Sequence, residues 1–419
     1  MFSPSTKLLW TTLLVLVPVL AVAGVAVSTL ALVLSVALLA FDAHRLHKLL
    51  DAVQVSTSSS LSAYKDRATQ ITVSVQNSTA ETRIALALPV NFHAESPVVP
   101  ASAQVEIEFT PQARGEFTIR EAHLSAASPW RMWNLRVTKG IHLDVNVFPD
   151  LSQDAASRKL FTMLQQGQRI QRLVGRGREV ERLRDYAAGD SFDEIYWKAT
   201  ARRGMPVSKV FQVERTQDIY AIVDGSRLGS RNQALERFVT ASLLLAVAAE
   251  KNTDNFGLVT FSDQVHHFVR AAHGKGHFQR CREAIFNLQP VPVSPDFAEL
   301  FTFLSLRIRK RSLLFFLTDL SDPLLSETFT RDASLIARRH VILVDQIADA
   351  VDRPLFTGPL PASDAAVETR LAGHLQWAKL RELERSLSHI GIRMHLLKPE
   401  QTSSELIGQY LNIKQRQLL

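Results

Sequence analysis

The most pronounced feature of the hydrophobic pattern lies at the start of the chain. From Leu8 to Phe41 no side chain carries a charge, a run of about 34 residues that as one helix would be about 50 Å long. A bilayer's hydrocarbon core is only about 30 Å thick. The run therefore predicts an anchor over residues 1–50 built as a hairpin of two short transmembrane helices, turning near Ala23-Gly24, with Pro18 tolerated as a kink. A single tilted span is the competing reading. A cleaved signal peptide is disfavoured, because its apolar core would be only about 7–15 residues. Lys7 precedes the run, and His44, Arg45, His47 and Lys48 follow it. Positive charge on both flanks predicts that both ends face the cytoplasm, with the soluble domains on that side of the inner membrane.

Beyond the anchor the period changes to two. Ile71, Val73 and Val75 alternate with polar neighbours, as do Ile84, Leu86 and Leu88, then Val105, Ile107 and Phe109, and later Val145 and Val147. Such runs, separated by Asn-Ser, Pro and Arg-Gly breaks, predict a small β-sandwich of six or seven strands over 52–149. Residues 150–217 form a connector. Its first part, 151–177, is helix-prone and basic (Arg158, Lys159, Arg169, Arg172, Arg176), suiting a solvated face or contact with anionic lipid headgroups.

From 218 to 419 strands and helices alternate. Compact apolar strands at Ile219–Val223, Phe256–Phe261, Leu313–Leu317 and Val341–Val344 are interleaved with helices near 231–251, 277–288, 296–310 and 326–338. A helix carrying Leu380, Leu383 and Leu387 and a last strand near 392–396 follow. The fold class expected is α/β, a doubly wound, mostly parallel sheet covered on both faces.

Composition narrows the function classes. The 419 residues carry 48 Lys+Arg against 41 Asp+Glu, a net +7 with no concentrated basic face, so nucleic acid is not an expected partner. The single cysteine, Cys281, excludes an intrachain disulfide and a Cys-based zinc knuckle.

Candidate chemistry lies at strand ends, where open α/β sheets bind ligands. Asp224 follows one apolar strand and Asp319 follows another. Ser226 and the Ser294-Pro295-Asp296 loop can add oxygen, and an all-oxygen set suits Mg²⁺ rather than zinc. The plain alternative is that these acids and serines cap the helices that follow them. His266, His267, His273 and His277 lack metalloprotease spacing and read as loop residues, and Gly274-Lys275-Gly276 is too short for a phosphate loop.

Between the two domains runs Glu181-Arg182-Leu183-Arg184-Asp185-Tyr186-Ala187-Ala188-Gly189-Asp190, continuing through Ile195-Tyr196-Trp197-Lys198-Ala199-Thr200-Ala201-Arg202. This segment resembles the signature of the family called domain of unknown function 58, and the order of the remaining parts agrees. The resemblance implies a C-terminal domain like von Willebrand factor type A and a MoxR-type AAA+ ATPase as partner, alongside other membrane or envelope proteins. Metal-binding domains of that type use Asp-x-Ser-x-Ser, then a Thr and an Asp from later loops. Here Asp224 and Ser226 match, Leu228 replaces the second serine, Asp319 matches the later aspartate, and Ser294 is the nearest candidate for the threonine. The signature itself reads either as structural, with Tyr186 and Trp197 packed under a sheet edge and Gly189 in a turn, or as a docking surface of Arg184, Asp190, Lys198 and Arg202. No nucleophile–base pair is evident. The chain reads as a membrane-anchored, non-enzymatic interaction or assembly factor. A metal-dependent hydrolase using Asp224 and Asp319, or a purely structural envelope protein, is the alternative.

Overall fold

The computed structural model describes residues 2–5, 25–78, 81–94, 98–152, 174–187, 192, 195–212, 216–349, 351–357 and 363–416. They divide into two compact units, Met1–Asp150 and Leu151–Leu419.

The first unit begins with a short strand, β1 (Phe2–Pro4), and a helix, α1 (Val25–Asp51). Among the described residues no helix is long and apolar enough to cross a membrane. The first limb of the expected hairpin, and its turn, fall in residues 6–24, outside those described. Nine strands follow: β2 (Gln54–Thr57), β3 (Ser60–Tyr64), β4 (Thr69–Gln76), β5 (Arg83–Leu86), β6 (Phe92–His93), β7 (Val99–Pro100), β8 (Gln104–Pro111), β9 (Gly115–Ala127) and β10 (Trp133–Phe148). A six-stranded sheet runs β1-β10-β9-β5-β7 with β3 also on β10, and a four-stranded sheet runs β2-β4-β8-β6. The alternation works as period two requires: Ile71, Val73, Val75, Val105, Ile107 and Phe109 all point into one core. There are more strands than the six or seven expected, because β1, β6 and β7 are too short to show any alternation. Leu46 and Leu50, near the end of α1, enter the same core.

In the second unit β11 (Val174–Asp185) pairs antiparallel with β12 (Val207–Gln212), and the short helix α2 (Trp197–Arg203) lies between them in sequence. The start of β11 corrects the helical expectation for 174–177. The remaining basic residues of that connector fall in 153–173, outside the described residues.

The α/β domain contains β13 (Asp218–Asp224), a 3₁₀ turn at Arg227–Gln233, α3 (Ala234–Lys251), β14 (Asn255–Phe261), β15 (Val265–Ala272), α4 (Lys275–Ile285) and α5 (Phe297–Arg307). It continues with β16 (Leu313–Leu317), α6 (Pro323–Ala337), β17 (Val341–Ile347), α7 (Asp364–His389), β18 (Arg393–Leu397) and α8 (Thr402–Arg416). The sheet order is β15-β14-β13-β16-β17-β18, parallel throughout except for the antiparallel edge strand β15.

Both faces are covered. Ile219, Ala221 and Val223 of β13 pack into one cluster with α3, α4 and α8, whereas Tyr220 and Ile222 join α5, α6 and α7. Every residue of β16 is buried, as a strand between two helical layers must be. The sequence reading stops at the last strand and misses α8, whose Leu406, Ile407, Tyr410 and Ile413 complete the first cluster.

Candidate functional site

The chain winds outward in both directions from β13, so β13 and its neighbour β16 flank the switch point where such sheets leave a crevice. Val223 pairs with Leu317 in register, which places Asp224 and the Thr318-Asp319 pair side by side at the carboxyl ends. Asp224 is almost wholly buried. Its Oδ1 accepts from the Ser226 backbone N–H at 2.8 Å, and its Oδ2 accepts from the Thr318 hydroxyl at 2.6 Å. Burial raises the Asp224 carboxyl above the usual carboxylate range; the bonds from Thr318 and Ser226 pull the other way, and nearby Asp319 adds to the rise.

Asp319 is more open. Its Oδ1 accepts from the Ser321 N–H at 2.8 Å, and its Oδ2 accepts from the Arg231 guanidinium at 3.1 Å. Together these residues line a narrow cleft of about 20 Å³, room for roughly one water molecule, with Leu228, Gln346, Asp349 and Asp352 on its walls. Asp352 is also raised, first by burial and then by Asp349, while Arg231 opposes the shift. Gln346 braces the loop, donating to Ser321 Oγ at 2.7 Å and accepting from Leu320 N–H at 3.0 Å.

The expected site residues separate. Asp224 and Asp319 meet at the cleft. Ser226 is buried and caps the 3₁₀ turn by accepting from Leu228 N–H at 3.3 Å. Ser294 is exposed and accepts instead from Arg227 Nε at 3.2 Å, so it is not the missing hydroxyl. The hydroxyl that does meet Asp224 is that of Thr318, on the same strand end as Asp319, and could have been found by asking which hydroxyl ends that strand. The capping alternative does not hold for the helices it named: Ser226 caps the 3₁₀ turn, α3 has Gln233 at its N-cap, and α6 is capped by Asp322.

The oxygen donors are of the hard type that Mg²⁺ prefers, yet the arrangement does not fit the ion as it stands. Both Asp224 oxygens are taken, Leu228 supplies carbon where a second serine hydroxyl would be, and the Arg231 guanidinium already sits on Asp319. Among the described residues no group of three or more His, Cys, Asp or Glu is placed to hold a metal ion.

In the signature segment, Arg184, Lys198 and Arg202 are exposed, and Asp190 and Gly189 lie outside the described residues. Trp197 is 66% exposed at the start of α2 rather than packed under a sheet edge, while Tyr186 is half-buried against Phe192. The positive-φ glycine next to this segment is Gly204, which closes α2. The histidines are not loop residues throughout: His266 and His267 lie on β15, and His277 is buried on α4 with Nε2 2.6 Å from the Phe256 carbonyl oxygen.

The family model described as "Protein of unknown function DUF58" matches residues 182–383, from the signature through the cleft to α7. Over these residues the chain resembles the DUF58 family. Among solved structures the chain is similar to proximal thread matrix protein 1 from the mussel byssus (13% identity, TM-score 0.28), over 48% of this chain and 46% of that one. A second structure of that protein, described as having a zinc-occupied MIDAS motif, matches at 13% identity and TM-score 0.29 over the same shares. A marsupial T cell receptor matches at 11% identity and TM-score 0.15, over 23% of this chain and 53% of that one. The chain thus spans about half the length of these structures. No curated protein matches.

Proposed function

We propose that this protein is a membrane-anchored, non-enzymatic interaction or assembly factor. Its von Willebrand factor A-like domain would present the Asp224–Asp319 cleft to a protein partner and work with a MoxR-type AAA+ ATPase. The observation carrying the reading is the layered cleft. A buried Asp224–Thr318 pair forms its floor and an exposed Arg231–Asp319 ion pair its rim, a pair that a partner's charged side chain can exchange with. Asp349 and Asp352 add acidic character, so a basic side chain is the group best received there. A divalent ion, Mg²⁺ above all, enters only if Arg231 withdraws from Asp319. The exposure of Arg184, Lys198 and Arg202 supports a second docking surface that they would make with Asp190.

Anchoring is supported by the charge-free run from Leu8 to Phe41, and a two-span hairpin by the basic residues on both its flanks. The cytoplasmic placement of the soluble domains at the inner membrane rests on the same charges.

Affinity capture of the full chain from solubilised membranes tests the reading. The parent is expected to recover an AAA+ ATPase, and Asp319→Ala or Arg231→Ala to reduce recovery at least tenfold. Recovery of no ATPase or envelope protein, or equal recovery by both variants, would reject it.

A further inference from the structure

The two ends of the apolar run return to one place. On the outgoing side Pro4 pairs with Trp133, and Ser5 donates its N–H to the Met132 carbonyl at 2.9 Å and its hydroxyl to the Arg131 carbonyl. On the returning side the Trp133 indole N–H donates to the Leu39 carbonyl at 3.1 Å, and the Phe41 and Trp130 rings stand 6.5 Å apart. Both ends therefore grip a single turn, 128–133, between β9 and β10. That turn is tightly made. Ser128 N–H donates to the Trp133 carbonyl, Arg131 N–H donates to the Ser128 carbonyl, and the buried Ser128 hydroxyl accepts from the backbone of Met132 and Trp133.

The character of α1 changes at this level. Above it, Leu30, Leu32, Val33, Leu34, Val36 and Leu38 are all exposed, Leu30 to 70%. At about 100° per residue these six positions circle the helix, so no single groove could cover them; a helix apolar on every side calls for an apolar solvent. Below it, Asp42, Leu46 and Leu50 are buried against the sandwich while Arg45 and Lys48 face outward. The boundary is marked by exposed Phe41 and Trp130, and aromatic rings with one wet edge concentrate where hydrocarbon meets headgroups.

We infer that the 128–133 turn, together with Phe41, seats the β-sandwich in the headgroup layer of a phospholipid bilayer, so that the sandwich rides on the membrane surface rather than hanging from a free linker. The inference rests on the anchored reading above and adds the depth and face of contact.

Cys281 makes the test simple. Its thiol is buried and pushed up to about 12 by burial, so a new surface cysteine is the reactive one. The full chain carrying Trp130→Cys or Phe41→Cys is labelled with a fluorophore and reconstituted in phosphatidylcholine–phosphatidylglycerol vesicles. Val90→Cys is the control, fully exposed and close to the Asn91–Gln112 contact at the far end of the sandwich. Labels at 130 and 41 are expected to be quenched at least twofold more by shallow nitroxide lipids than the label at 90, and less by aqueous iodide. Labels at 130 and 41 that behave like the label at 90, in chains that stay on alkali-washed vesicles, would overturn the seat alone. Chains that wash off would overturn the anchor and the seat together.

Discussion

The Thr318 hydroxyl donates to Asp224 Oδ2 at 2.6 Å, tying together the ends of two parallel strands 94 residues apart in sequence. Because both groups are buried, the bond cannot be replaced by bulk water. Thr318→Val keeps the shape and removes the donor, leaving a buried carboxyl oxygen unpaired. The expected loss is about 1–3 kcal/mol of unfolding free energy by urea titration, largely restored by Thr318→Ser. An unchanged midpoint for Thr318→Val would show that the cleft floor relaxes around the loss.

The raised carboxyl of Asp224 carries a sign. Burial favours the protonated carboxyl in the folded chain relative to the unfolded one, which titrates near 3.8. This contribution to stability is therefore complete below about pH 3.8 and is lost as pH rises through the folded-state value. Asp224→Asn cannot ionise, and Thr318 can reorient to accept from its amide. The variant is expected to be more stable than the parent at pH 7, with the gap narrowing towards pH 4. Urea midpoints of the two proteins across that range decide it; a less stable variant at pH 7 would mean that the charged form is the one the fold prefers.

Arg231 supplies the cleft with a cation of its own. The parent is expected to show no Mg²⁺-dependent change in melting temperature. Arg231→Ala, which leaves Asp319, Asp349 and Asp352 without that guanidinium, is expected to gain a few degrees in millimolar Mg²⁺. Thermal melts with and without chelator provide the check, and a parent that responds as strongly as the variant contradicts the assignment.

How much of this was readable beforehand depended on the length of each signal. β13 and β16 are unbroken apolar runs ending in polar residues, so Asp224 and Asp319 could be placed at strand ends with no coordinates. The contact of Thr318 with Asp224 depends on register between two strands, which one sequence does not contain; Ser294, nearer along the chain, faces Arg227 instead. β1 spans three residues and has no periodicity to read. α8 did carry its pattern in Leu406, Ile407, Tyr410 and Ile413, but it follows Pro399 and a polar stretch that resembles a terminus. Arg231 could not be foreseen, since a guanidinium on a turn gives no sign of which carboxylate it will meet.

α8 is held by a buried charge cluster. Asp254 Oδ2 accepts from Lys414 Nζ at 2.6 Å and from the Tyr410 hydroxyl at 2.5 Å, and Asp254 Oδ1 accepts from the Gln217 N–H at 3.1 Å. Asp254→Ala would remove the carboxylate that both groups share, leaving the Lys414 ammonium with only the Asn252 carbonyl, at 2.8 Å, in its place. The expected cost is about 3–5 kcal/mol in urea unfolding, with early hydrogen exchange along α8. A loss below about 1 kcal/mol would show that solvent reaches the cluster.

Gly373 lets α7 approach the loop that carries Asp349 and Asp352. A Cβ there would fall on the Val351 carbonyl, a backbone group with no rotamer to escape through. Gly373→Ala is expected to cost about 1–3 kcal/mol and to increase protease cutting within 349–357. An unaltered melting curve and digest would mean that the helix shifts without strain.

A domain held by a single tether can swivel about it, whereas one moored at two points keeps only the freedom of a hinge. Ser5 and Leu39 both fasten to the same turn of the sandwich. In the anchored reading proposed above, a pull on either limb would load β10 directly, and twisting the sandwich about its anchor would require pairs in that strand to break first.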